Sequence, residues 1–82
     1  MPIPTRAAYE SLVYGLMDRY QEIAASTLRL YSTSALTAVV AGELLFHNGL
    51  KLRILEILDF KKGRIQNYSY AVYRGTDKIR LY

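Results

Sequence analysis

The sequence predicts an α+β fold: an N-terminal amphipathic helix packed on a five-stranded antiparallel β-meander. Three observations carry that expectation. Apolar residues recur at three- and four-residue spacing as far as Ile23, the period of a helix face. Beyond about residue 26 they recur at every second position, the period of a strand. The alternating part is punctuated by Ser32-Thr33-Ser34, His47-Asn48-Gly49, Lys61-Lys62-Gly63 and Gly75-Thr76-Asp77, each rich in turn-forming residues.

The elements follow in order. Pro2 and Pro4 keep the start of the chain extended. Thr5 is placed to cap a helix by accepting a bond from a free backbone N–H. Tyr9, Leu12, Val13, Leu16, Tyr20 and Ile23 then form one stripe, which predicts a helix over about residues 5–23. Gly15 is a mild defect inside it, costing roughly 1 kcal/mol against alanine. Strands are expected at about 26–32, 36–46, 50–60, 64–73 and 78–82. In the first of them Leu28 and Leu30 take one face, and Thr27, Arg29 and Tyr31 the other.

Turn length sets the register. A two-residue turn at Asn48-Gly49 would place Phe46 against Lys51 and Leu44 against Arg53, mixing core with charge. A three-residue loop, His47–Gly49, with Gly49 left-handed and a bulge after it, pairs Leu44 with Leu52 and Glu43 with Arg53. The same loop type at Lys61-Lys62-Gly63 sets Phe60 opposite Arg64, Glu56 opposite Tyr68 and Ile54 opposite Tyr70. Val40, Leu44, Phe46, Leu50, Leu52, Ile54 and Leu58 then face the helix. The opposite face carries Val39, Leu45, Leu55, Ile57 and Ile65 among Glu43, Lys51, Arg53 and Asp59. Neighbouring aliphatics on an outer face are expected to form an interface, with a homodimer as the simplest case.

Composition narrows the class. Eighty-two residues make one small domain, able to bury only roughly 60% of its unfolded surface. Eight tyrosines stand against two phenylalanines and no tryptophan, a balance found both at interfaces and on half-exposed strands. With no cysteine, neither disulfides nor a Cys-based zinc site can form, and a reducing cytoplasm is the expected setting. His47 is the lone histidine, so no metal site and no cofactor are expected. No apolar run approaches the roughly 20 residues of a membrane span, and residues 1–6 do not read as a signal peptide. The net charge of +4 is uneven. Residues 1–50 hold three basic against four acidic residues, whereas residues 51–82 hold eight against three. A basic half is compatible with nucleic acid or with an acidic protein partner, and equally with ordinary solvated strands.

Glu56 is the leading candidate for chemistry. Parity puts it on the core face, where a carboxylate without partners is costly, and Tyr68 opposite can donate to it. The pair reads as a catalytic site or as a structural hydrogen bond. Lys61, Lys62 and Arg64 form a basic hairpin tip able to hold phosphate. Tyr68, Tyr70, Tyr73, Arg74 and Arg80 interleave aromatic and basic groups, as a platform for single-stranded nucleic acid does. No P-loop, GxGxxG, HExxH or nucleophile motif is present.

Leu55-Glu56, Leu58-Asp59-Phe60, Gly63-Arg64-Ile65, Tyr68-Ser69-Tyr70 and Tyr73-Arg74-Gly75 occur in an order that resembles the TumE-type toxin family of toxin–antitoxin systems. Pro4-Thr5-Arg6 with Tyr9, and Ser26-Thr27-Leu28-Arg29-Leu30-Tyr31, resemble its cyanobacterial members. The resemblance implies a small cytoplasmic protein paired with a cognate antitoxin, usually a DNA-binding one. Relatives continue past the motif matched by Arg80-Leu81-Tyr82 with an Asp, a Pro-His and a His-rich segment that this sequence lacks, which implies a truncated member or a bare scaffold, without any activity those histidines support. Three functions stay open at this point. The first is a TumE-like protein acting through protein–protein interaction. The second is an RNA-directed toxin or nuclease-like enzyme using Glu56, Tyr68, Tyr70, Arg74 and Arg80. The third is a non-enzymatic nucleic-acid-binding sheet.

Overall fold

The computed structural model describes residues 5–81. The expected extended start at Pro2 and Pro4, and Tyr82 at the end of the last expected strand, lie outside them. Two short helices, Arg6–Tyr14 (α1) and Leu16–Arg19 (α2), precede six strands: Ile23–Ser26 (β1), Arg29–Ser32 (β2), Thr37–Phe46 (β3), Leu50–Asp59 (β4), Arg64–Arg74 (β5) and Asp77–Leu81 (β6). All belong to one antiparallel sheet in the order β1-β3-β4-β5-β6, with β2 beside β3 further along the same edge. The expected α+β architecture is therefore present, with its first strand in two pieces.

The helix starts where the sequence places it. Thr5 is extended and its hydroxyl accepts a 3.4 Å bond from the Ala8 N–H. The helix ends earlier than the apolar stripe does. It breaks at Gly15, and α2 closes at Tyr20, which is already extended. Ile23, the last member of the stripe, instead pairs with Phe46 in β1 and is buried. A periodic pattern records which side chains are apolar; here the sheet offers Ile23 a deeper burial than a frayed helix end can.

The expected strand over 26–32 is interrupted at Thr27-Leu28, opposite Gly42, with its register unchanged: Ser26 faces Leu44 and Leu30 faces Val40. The Thr27 N–H donates to the Glu43 carbonyl at 2.9 Å, and the Thr27 hydroxyl accepts from the Glu43 N–H at 3.0 Å. Gly42 has φ +143, and a Cβ on it would lie 2.6 Å from the Thr27 carbonyl oxygen and 2.8 Å from the Leu28 Cα. Only glycine lets the two backbones meet this closely. Leu28 keeps the inward parity of Leu30, as expected, and is 2% exposed.

The β3–β4 hairpin has the register argued from its turn: Glu43 opposite Arg53, Leu44 opposite Leu52, with Gly49 at φ +89. In the β4–β5 hairpin Glu56 faces Tyr68 and Ile54 faces Tyr70, as expected. Nearer the turn the expected Phe60–Arg64 pairing is replaced by Asp59 opposite Arg64 and Leu58 opposite Ile65. One extra residue, Gln66, is accommodated between Ile65 and Asn67, and a one-residue slip exchanges the faces. Ile65 therefore packs against the core instead of joining the outer aliphatics.

Even-numbered residues of β3 and β4 face the helices. Ala38, Val40, Leu44 and Leu58 are buried together with Val13, Ile23 and Leu28, and Tyr9, Leu16, Leu52, Ile54 and Phe60 pack around them. Arg6 fastens the start of α1 to the β2–β3 turn. Its guanidinium donates to the Ser32 hydroxyl at 2.6 Å and to the Ser34 and Ala35 carbonyls at 2.9 Å, and lies 5.3 Å from the centre of the Phe60 ring. Among the described residues no helix is long and apolar enough to cross a membrane.

Candidate functional site

Two features of the fold can do more than hold it together: a buried glutamate under the helix, and the sheet face that, among the described residues, no helix covers.

Glu56 is 8% exposed, on the β4 row next to the groove between α1 and the sheet. The groove, about 250 Å³, is walled by Tyr9, Leu12, Val13, Leu16, Leu28, Val40 and Ile54, with Glu56 on its floor. Sequence parity placed Glu56 correctly and its partner incorrectly. Tyr68 is directly opposite in register, but its side chain is exposed and makes no bond to Glu56; it stacks on Tyr70 with centroids 5.1 Å apart. The donors are Tyr70, bonded to one carboxylate oxygen, and Tyr9, bonded to the other. A tyrosine ring is long enough to reach the diagonal neighbour on the adjacent strand, so the residue two places along wins over the one directly across. Tyr9 descends from α1, and nothing in the sequence beyond its place in the apolar stripe points to this bond. Burial raises the Tyr9 and Tyr70 hydroxyls above the ordinary tyrosine range, and the hydrogen bond to the Glu56 carboxylate and its charge add to that. The three residues thus link α1, β4 and β5 through one carboxylate whose two oxygens each have a donor.

The expected binding residues do not form one site. Lys61, Lys62 and Arg64 lie at the β4–β5 turn; Arg74 and Arg80 lie at the far end of β5 and on β6, opposite Leu50 and Val72. Ten residues of strand, roughly 33 Å, separate Arg64 from Arg74. Tyr68, Tyr70, Arg74 and Arg80 share the helix side of the sheet by register, whereas Tyr73 projects from the other side. There Lys51, Arg53 and Lys78 surround its ring at 5.5, 5.5 and 5.9 Å from the centroid.

That other side is the bare one. Register places its side chains in rows across the strands. Tyr31, Val39, Ile57 and Asn67 form one row, and Arg29, Ala41, Leu55 and Ser69 the next. Glu43, Arg53 and Ala71 follow, then Ala25, Leu45, Lys51 and Tyr73. Leu45, Leu55 and Ile57 are exposed, as is Tyr31 beside Val39. Four of the five expected interface residues, Val39, Leu45, Leu55 and Ile57, are therefore on this face, and Ile65 is not. Glu43 lies among the cations, 3.3 Å from the Arg53 guanidinium and 3.6 Å from the Lys51 ammonium. The face is an apolar centre with a charged band at one end. The chain matches no protein-family model, no curated protein and no solved structure.

Proposed function

We propose that this chain is a protein-binding module of the toxin–antitoxin kind, as its TumE resemblance implies, and that it acts in the cytoplasm through its bare sheet face. The observation that carries this reading is the row structure of that face: Val39 beside Ile57 and Ala41 beside Leu55, on the two central strands, with no helix over them among the described residues. An amphipathic sheet normally keeps its outer face polar, and contiguous exposed aliphatics mark contact surfaces. Glu56 supports the same reading. Its carboxylate is enclosed and held at both oxygens by tyrosine hydroxyls, the arrangement of a structural clamp.

The resemblance makes a cognate antitoxin the partner to test. The chain is co-expressed with the product of its adjacent gene, and growth and co-purification are measured. Leu55→Glu and Ile57→Glu, each placing a charge in the apolar centre, are expected to weaken the complex at least tenfold while leaving the circular dichroism spectrum unchanged. Unaltered complex formation by both variants would overturn this reading. RNA cleavage by the purified chain that Glu56→Gln abolishes would replace it with the enzymatic one.

A further inference from the structure

We infer that a second copy of this chain closes the bare face, in a face-to-face sandwich whose two-fold axis runs along the strands midway between β3 and β4. The inference rests on the reading of that face as a contact surface and names its occupant.

The rows decide the symmetry. A half-turn about an axis in the plane of the face, parallel to the strands, carries each β3 residue over the β4 residue of its own row in the other copy. Val39 then lies over Ile57 of the second copy, and Ala41 over Leu55. Glu43 lies over Arg53 of the second copy, and Arg53 over its Glu43, while in the last row Leu45 lies over the methylene stem of Lys51. The flanking strands pair large with small: Tyr73 over Ala25, Tyr31 over Asn67 and Arg29 over Ser69. An axis across the strands, midway between the Val39–Ile57 and Ala41–Leu55 rows, also sets aliphatic on aliphatic but places Glu43 over Thr37 of the second copy, with no cation opposite it. An isologous dimer needs a self-complementary patch, and the in-plane axis along the strands supplies one. The slight rotation between aligned packed sheets, about 30°, leaves the rows nearest the axis in contact.

Area agrees. Five strand positions across and ten residues along give a face of about 800 Å², in keeping with the 37 × 25 Å extents of the molecule's two longer axes. A standard stable interface buries about that much on each partner.

The test uses the chain itself. At roughly 100 μM, sedimentation equilibrium is expected to give twice the 9.4 kDa protomer mass. Glu43→Arg sets cation against cation across the axis, and Arg53→Glu sets anion against anion, so each variant alone is expected to dimerise at least tenfold more weakly. Mixed together, the two variants restore attraction at both contacts, and native mass spectrometry is expected to show the heterodimer in excess over either homodimer. This mixing reads only contacts between copies, since each variant loses its internal Glu43–Arg53 pair in both samples. Wild-type chain that stays monomeric, or single variants that dimerise as well as wild type, overturns the inference. The two readings fail separately. A monomer whose Leu55→Glu variant no longer binds the adjacent-gene product removes the second copy and keeps the face as a contact surface. A monomer whose Leu55→Glu variant still binds that product removes both.

Discussion

Deleting the hydroxyl of Tyr9 or Tyr70 tests whether Glu56 is a clamp. Tyrosine to phenylalanine removes one oxygen and almost no volume, so no cavity confuses the result. Each hydroxyl donates to a different oxygen of a carboxylate that is 8% exposed. A hydrogen bond to a charged group contributes roughly 1.5–3 kcal/mol, and losing it leaves the buried oxygen without that donor. Tyr9 lines the groove under the helix, and its loss is expected to fall within that range. Tyr70 lies on the more open part of the sheet, where water takes over part of the role, and about 1 kcal/mol is expected. The double variant strips both donors and should cost more than the sum, because a carboxylate with no partner is disproportionately destabilising. A chain of this size has a total stability on the order of 4–12 kcal/mol. At roughly 4–8 °C per kcal/mol, Tyr9→Phe should lower the midpoint of thermal unfolding by about 10 °C. Tyr68→Phe is the internal control: its hydroxyl does not reach Glu56, and its stability should stay within about 0.5 kcal/mol of wild type. Thermal and urea unfolding followed by circular dichroism at pH 7 measure all four proteins. An unchanged Tyr9→Phe, or a Tyr68→Phe as damaged as Tyr70→Phe, refutes the clamp.

Three further outcomes follow from the fold. Gly42→Ala must hold a side chain at φ +143 and place its Cβ 2.6 Å from the Thr27 carbonyl oxygen, so it should lose about 2–5 kcal/mol in urea unfolding. Gly49→Ala, at φ +89 with open space around it, should lose only the backbone part, about 1–2 kcal/mol. Alkali should also unfold the chain. Tyr9 and Tyr70 are raised in the folded state, so their contribution is complete below the ordinary tyrosine value near 10 and is lost as pH climbs above it. The limit is about 1.4 kcal/mol per tyrosine per pH unit, reduced because both rings are partly solvated. The double phenylalanine variant should lose this dependence, as unfolding midpoints between pH 9 and 11 will show.

The parts of the fold that could be read from the chain are those in which side-chain polarity and backbone geometry agree. The β3–β4 register was legible because only one turn length keeps Leu44 with Leu52 and Glu43 with Arg53. The inward position of Glu56 followed from parity alone. The helix end was not legible, because Ile23 suits a helix stripe and a strand opposite Phe46 equally well. The bulge at Gln66 left no mark either: Asn67, Ser69 and Gln66 are all polar, so moving the register by one residue there changes nothing that an alternation pattern can detect. Its consequence, the transfer of Ile65 to the core, was invisible for the same reason. The role of Arg6 depends on a contact with a turn 28 residues away, to the Ser34 carbonyl, which no local pattern encodes.

One irregularity in the sheet bears on which aliphatics are left outside. The bulge at Gln66 turns Ile65 inward, moving an aliphatic side chain from the outer face to the core. That slip lies near the β4–β5 turn. It does not reach the ladder in which β3 and β4 pair without interruption from Thr37 opposite Asp59 to Leu45 opposite Lys51. There Ala38 and Val40 have Val39 and Ala41 as outward neighbours and Leu58 has Ile57, and the pleat cannot hide both. Val39, Leu55 and Ile57 are exposed or half-exposed for that reason, on the longest uninterrupted ladder among the described residues. A surface held by that ladder keeps its rows fixed, and fixed rows are what a face-to-face partner needs in order to set Glu43 over an arginine rather than over a leucine.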